Sequence, residues 1–213
     1  MKTVVITGIS HGLGLLIAQA FAKDGWSVVG TGRSERPADL DQAIAYHQFD
    51  ASCADACADF WQEISSKVDG KICLVNNAGG YASGGLLTAA PEDYQTQMAS
   101  NYFAAVYMTK GLMEGFEKAR IINILSSSAL APRAWQSAYG ASKAAAMHFF
   151  KAIRKEVSAQ AYPITNLYPS DIATHGKNEK AIDAQDLADF ILQQANATGS
   201  FYLSDVTLYP TKS

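Results

Sequence analysis

Tyr139 and Lys143, in the stretch "YGASK", stand four residues apart at the head of an alanine-rich segment with helical spacing, residues 138–159. Positions four apart share one face of a helix, so the phenol and the ammonium can enter the same cleft. A free tyrosine titrates near ~10 and is a poor acid–base group at neutral pH. A lysine charge beside it stabilises the phenolate and is expected to pull that value down. Such a phenol can hand its proton to a carbonyl oxygen as hydride reaches the carbon. Upstream lies a run of three serines, Ser126, Ser127 and Ser128, at the end of an apolar run, residues 120–126. A hydroxyl from that run could hydrogen-bond the same oxygen and place it.

A second cluster is "TGISHGLG", with Gly8, Gly12 and Gly14 between the first apolar run and the first helical stretch. It reads either as a tight strand-to-helix turn or as a phosphate cradle, and its place directly after the first strand favours the cradle. Glycines let backbone approach a ligand closely, and a helix amino terminus offers unpaired N–H groups to an anion.

These groups must be positioned by the elements between them. Strand-like runs occur at residues 2–7, 26–32, 45–50, 71–79, 120–126, 163–169 and 205–210. Helical spacing occupies a stretch ending at Gly25 and residues 53–68, 91–118, 138–159 and 183–195, with Pro91 suited to a first helical turn. Alternation of strand and helix predicts parallel strands with helical crossovers. The expected fold is α/β: a single Rossmann-type doubly wound parallel sheet of about seven strands with helices on both faces, forming one domain over residues 1–213.

The spacing Thr7-Gly8-x-x-x-Gly12-x-Gly14 resembles the cofactor fingerprint of the short-chain dehydrogenase/reductase family. "NNAG", Asn76–Gly79, is similar to the family's second motif in letters and in place. Asn101, Ser126, Tyr139 and Lys143 match its tetrad in order and approximate spacing. The likeness runs from Thr3 to about Thr174. It implies an oxidoreductase in which Tyr139 is the general acid–base and Ser126 holds the substrate oxygen. Lys143 would serve the tyrosine and the nicotinamide ribose, and Asn101 would hold a water linking Lys143 to solvent. Family spacing selects Ser126 rather than Ser127 or Ser128. The cofactor-binding set implied is Thr7, Gly8, Ser10, His11, Gly12, Leu13, Gly14, Arg33, Ser34, Asp50, Asn77, Ala78, Gly79, Tyr139, Lys143, Pro169, Ile172 and Thr174.

The cofactor choice is read from "GTGRSER", where the second strand ends. An NAD site usually places an acidic residue here, bonded to the ribose hydroxyls. This chain has Thr31 and Gly32, then Arg33 and Ser34, and a guanidinium matches a phosphate's geometry. Glu35 lies beyond the arginine and is expected to face solvent. The expectation is NADP(H) in preference to NAD(H), which stays possible. Two departures bear on the substrate. Ser170 replaces the glycine that usually follows Pro169 and is expected to narrow the cleft slightly. Only "HGKNEKAI" separates Thr174 from the helix near Asp183, implying a short lid and an open site.

Tyr81, Ser128, Arg133, Trp135 and Gln136 are candidate substrate contacts. Tyr81 and Trp135 suit a flat or apolar molecule, and Arg133 suits an acidic group. Equally, Trp135 could pack on a neighbouring subunit and Arg133 could be a solvated loop charge. His11, His47, His148 and His175 show no pairing for nucleophilic catalysis. Cys53, Cys57 and Cys73 are expected to be free thiols, with no metal site.

Hydrophobic residues make up 48% of 213, and charged residues 17% with a net charge of −3. That composition supplies a core and argues against nucleic-acid binding, which needs a clustered basic surface. The amino-terminal apolar run is too short for a signal peptide, and no stretch approaches the roughly 20 apolar residues of a membrane span. A cytoplasmic enzyme acting on a small carbonyl or alcohol is expected, with no membrane partner. It is expected to be a homodimer or homotetramer built on the helices near 91–118 and 138–159. The alternative is a catalytically silent NADP(H)-sensing protein on the same fold.

Overall fold

A computed structural model describes residues 1–174, 176 and 178–212. The apolar runs form β1 (Lys2–Thr7), β2 (Ser27–Gly32), β3 (Ala45–Gln48), β4 (Lys71–Asn76), β5 (Arg120–Ile124) and β6 (Ile164–Pro169). Two further short strands, β7 (Ile172–Ala173) and β8 (Ile182–Asp183), precede β9 (Asp205–Leu208). The main sheet has seven strands in the order β3-β2-β1-β4-β5-β6-β9, and every pairing is parallel.

Successive side chains of each central strand leave opposite faces of the sheet, and both faces are covered. Val4 and Ile6 of β1, with Cys73 and Val75 of β4, pack under α1 (Gly12–Lys23) and α6 (Ala184–Asn196). Val5, Ile72 and Leu74 pack under α2 (Ala54–Ser65), α4 (Ala104–Gly115) and α5 (Ser137–Glu156). Strand order reverses between β1 and β4, opening a crevice at the carboxyl ends of these two strands. The Rossmann-type sheet expected from the alternation is the sheet observed.

Two features were not read from the spacing. The helix expected over 91–118 is three pieces: α3 (Pro91–Met98), a π-helical turn (Ala99–Phe103) and α4. An extra residue in a helical turn re-aims a side chain, and such turns gather at functional sites. Here the turn carries Asn101, which is 3% exposed. The second feature is the parallel pair β7–β8, which closes the short segment after β6.

Asparagines stand in register across three adjacent strands, Asn76 opposite Asn123 and Asn123 opposite Asn166. Asn76 Nδ2 donates to Asn123 Oδ1 at 2.9 Å, and Asn123 Nδ2 donates to Asn166 Oδ1 at 2.8 Å. Asn166 Nδ2 continues to Asp205 Oδ1 at 3.2 Å on β9, where the Tyr168 hydroxyl also donates, at 2.6 Å. Buried amides need partners; the ladder and Thr109, which accepts from Asn76 Nδ2 at 3.0 Å, supply the donors' partners, while Asn76 Oδ1 is buried without one.

Candidate active site

A cleft of about 690 Å³ lies at the strand reversal, between the glycine turn at one end and Tyr139 and Lys143 at the other. Gly8 and Gly12 have φ of +73° and +59°, in the left-handed region that favours glycine. A Cβ on Gly14 would collide with the Gly8 carbonyl and the Asn77 amide, so the turn closes only with glycine there. His11 caps α1 with extended backbone but no side-chain hydrogen bond, and the first turn of α1 has no acidic residue. The amino-terminal N–H groups are therefore left without a side-chain acceptor. That arrangement fits an anion such as a dinucleotide pyrophosphate, and the cleft volume fits a cofactor-sized molecule.

Thr7 is 2% exposed and lies behind the cleft rather than along it. Its hydroxyl accepts from Asn77 N at 3.0 Å and Ala78 N at 2.8 Å. Asn77 Nδ2 donates back to the carbonyls of Thr7 (2.9 Å) and Gly8 (3.1 Å). The two motifs thus form one clamp, and Thr7 acts by positioning. Pro169 is likewise buried and off the cleft surface. Gly8, Ser10, His11, Gly12, Leu13, Gly14, Asn77, Ala78, Gly79, Ile172 and Thr174 all line it.

At the far end of β2, Arg33, Ser34 and Asp50 line the cleft and Glu35 does not. The Ser34 carbonyl accepts from the Tyr46 hydroxyl at 2.8 Å, and the Arg33 carbonyl from Gln48 Nε2 at 3.1 Å. Side chains of β3 therefore fix this corner while the Arg33 guanidinium stays exposed. Arg36 differs. Its guanidinium is spent on the carbonyls of Ile44 (2.9 Å), Leu40 (3.2 Å) and Asp41 (2.7 Å). Asp50 faces solvent and accepts from the backbone and hydroxyl of Ser52. Sequence reasoning missed Phe49, Ser100 and Leu125 among the lining residues; none carries a motif, and only the fold brings them to the cleft.

At the Tyr139 end, Lys143 is 6% exposed and donates from Nζ to the Ile124 carbonyl at 2.9 Å. Its Nζ lies 5.9 Å from the centre of the Tyr139 ring. Burial pushes the Lys143 ammonium down to about 8. Burial also raises the Tyr139 phenol above its ordinary value, while a hydrogen bond from Ser126 and the Arg133 charge favour the phenolate. The expected lowering of the phenol by Lys143 is thus not found. The physical reason is that the desolvation that brings the pair together penalises both charges.

The three serines separate by partner. Ser127 Oγ accepts from Arg133 Nη2 at 3.1 Å, and Ser128 Oγ donates to Gln136 Oε1 at 2.7 Å. Ser126 caps the short 3-10 turn Ser127–Ala129, accepting from Ser128 N at 3.1 Å, and is the one of the three whose hydroxyl favours the Tyr139 phenolate. Asn101 clamps the loop after β4: its Oδ1 accepts from Gly80 N (3.2 Å) and its Nδ2 donates to Gly80 O (2.9 Å). It also reaches Ser142 Oγ at 3.1 Å on α5. A Cβ on Gly79 would strike Asn101 Oδ1 and lie 3.4 Å from Lys143 Nζ, so both groups border the same glycine.

Of the substrate candidates, Tyr81 lines the cleft, with its ring edge-on to Tyr139 at 5.1 Å and 78°. Arg133 is exposed and pairs with the exposed Asp171 at 3.1 Å. Ser170 does not line the cleft, and its hydroxyl is buried without a partner, so the expected narrowing does not arise. His175 lies outside the described residues. All three cysteines are free, Cys53 exposed and Cys57 and Cys73 buried. Among the described residues there is no cluster able to hold a metal ion and no helix long and apolar enough to cross a membrane.

Sheet order, glycine turn and the residues at the crevice define a Rossmann-type oxidoreductase. The chain belongs to the short-chain dehydrogenase family, whose pattern it matches over residues 2–185. Serine 3-dehydrogenase of Agrobacterium fabrum is 28% identical, over 98% of this chain and 93% of its own length. An NADP-dependent 3-hydroxy acid dehydrogenase of Salmonella typhi is 28% identical over 84% of this chain and 79% of its own. A crystal structure of a short-chain dehydrogenase/reductase from Vibrio parahaemolyticus is similar with a TM-score of 0.85 and 27% identity, covering 97% of this chain and 99% of that one.

Proposed function

We propose that the protein is an NADP(H)-dependent reductase of ketones or aldehydes, or the oxidant of the matching alcohols, with Tyr139 as general acid–base. The observation that carries this reading is a single cleft lined by Gly8, Gly12 and Gly14 at one end and by Tyr139 and Lys143 at the other. A nicotinamide dinucleotide bound along it supplies the hydride. The glycine turn and the amino terminus of α1 would hold its pyrophosphate, and Arg33 and Ser34 would hold the ribose phosphate. Support for NADP(H) comes from the exposed guanidinium at the end of β2, from Glu35 lying off the cleft, and from the NADP-dependent relative.

Tyr139 gives its proton to the carbonyl oxygen, and Ser126 holds that oxygen by a hydrogen bond. Lys143 would support the phenolate left behind and hold the nicotinamide ribose. Asn101 keeps Gly79 and Gly80 in place beside Lys143, and its Oδ1 retains one acceptor position for a water in the return path of the proton. The protein works in the cytoplasm, as one domain, on a small molecule rather than nucleic acid or membrane. It forms a homodimer or homotetramer, for which Phe103, 40% exposed and stacked on Tyr107, offers a contact surface.

Carbonyl-dependent oxidation of NADPH, measured over a panel of aldehydes and ketones, tests the reading. Turnover that follows added carbonyl is the expected result. A blank across the panel with tight cofactor binding intact would point to a sensor instead.

A further inference from the structure

The polar side chains beside the Tyr81–Tyr139 end of the cleft, which do not line it themselves, are paired with one another. Arg133 donates to Asp171 at 3.1 Å and to Ser127 at 3.1 Å. Ser128 Oγ donates to Gln136 Oε1 at 2.7 Å, and Gln136 Nε2 donates to the Tyr81 hydroxyl at 3.4 Å. Aromatic surface is what remains presented outward. Tyr81 is 60% exposed although its ring edge meets Tyr139, and Trp135 is 65% exposed.

Trp135 is also held in a conformation that its side chain disfavours. Its φ is +64°, and among the described residues no other non-glycine has positive φ. Large residues seldom occupy that region, and where they do, surrounding contacts enforce it. Here its carbonyl accepts from Gly84 N at 2.8 Å and from Ser83 Oγ at 3.2 Å. The indole rests on Gly85, where a Cβ would come within 2.7 Å of the ring. The loop after β4 and the loop before α5 are thereby fastened together, with the Tyr81 and Trp135 rings left uncovered on them.

Resting on the proposed carbonyl chemistry, we infer that the substrate is a neutral carbonyl compound bearing an aromatic or bulky apolar group next to the reacting carbon, and not a carboxylate. Tyr81 contacts that group and Trp135 borders it. An anionic substrate would share Arg133 with Asp171, whose carboxylate already answers that charge and repels a second anion. The two relatives named for serine and for 3-hydroxy acids act on carboxylates, so this chain departs from them.

The test pairs two ligands with the same ketone, ethyl benzoylformate and the benzoylformate anion. Calorimetry on wild-type protein saturated with NADP+, which cannot reduce a ketone, should show the ester bound about tenfold or more tighter than the anion. Equal affinity, tighter binding of the anion, or no binding of either overturns the inference. Asp171→Asn, which frees Arg133, should raise the affinity for the anion relative to the ester by about fivefold or more. An unchanged ratio counts against the inference as well. Turnover is scored separately with NADPH. A protein that binds the ester as expected yet never oxidises NADPH sinks the reductase reading and leaves the ligand class standing.

Discussion

Lys143 Nζ sits 5.9 Å from the centre of the Tyr139 ring and donates its hydrogen bond to the Ile124 carbonyl, one helical turn joining the two residues on α5. Tyr139→Phe removes only the phenolic proton. It should abolish turnover while leaving the affinity for NADPH nearly unchanged, and Lys143→Ala should damage both. Steady-state rates and a cofactor titration check this. Retention of more than about a tenth of the wild-type kcat by Tyr139→Phe would exclude it as the acid, since general acid catalysis contributes roughly 100-fold or more.

Burial that lowers Lys143 to about 8 also sets a pH dependence of stability. The unfolded lysine titrates near its ordinary value of 10.5, so between about 8 and 10.5 the unfolded chain binds more protons than the folded one. Stability from this group therefore rises with pH across that window, and below it the buried ammonium costs roughly 3 kcal/mol. Lys143→Met should be the more stable protein at pH 7 and lose its advantage by about pH 10. Urea unfolding of both proteins at the two pH values measures it. A constant difference would mean that Lys143 is not desolvated as described.

Arg33→Ala should raise the KM for NADPH about tenfold or more, since a charge-assisted hydrogen bond is worth roughly 1.5–3 kcal/mol. The KM for NADH should barely move. A wild-type enzyme preferring NADH would reverse the assignment and direct attention to Glu35.

Asn123 bonds both neighbours in the ladder, so Asn123→Ala leaves Asn166 Oδ1 without a donor, while Asn76 Nδ2 keeps the Thr109 hydroxyl at 3.0 Å. A buried polar group left unpaired costs about 1–3 kcal/mol, which is the loss expected here. The urea midpoint reports it, and a loss below about 1 kcal/mol would show that the ladder relaxes around the gap.

Light scattering at micromolar concentration should give the mass of a dimer or tetramer. Phe103→Arg on the exposed face of the π turn should shift that mass toward the monomer. A monomeric wild-type protein would rule out the assembly.

The parallel sheet, the helices on its two faces and the position of the glycine turn were legible in the sequence. They depend on hydrophobic period and on backbone freedom at Gly8 and Gly12, which are local properties. So was the grouping of Tyr139 with Lys143, because α-helical spacing places them on one face. Tertiary structure decided the rest. The π turn at Asn101 follows from bonds to Gly80 and Ser142, which no local pattern announces. Family spacing had already singled out Ser126; what the fold added is that Arg133 and Gln136, from the next loop, occupy Ser127 and Ser128. The charge of Arg133 is answered by Asp171, which is 38 residues away in sequence and 3.1 Å away in space. The upward shift of Tyr139 follows from desolvation, a property of everything packed around the pair and not of their spacing.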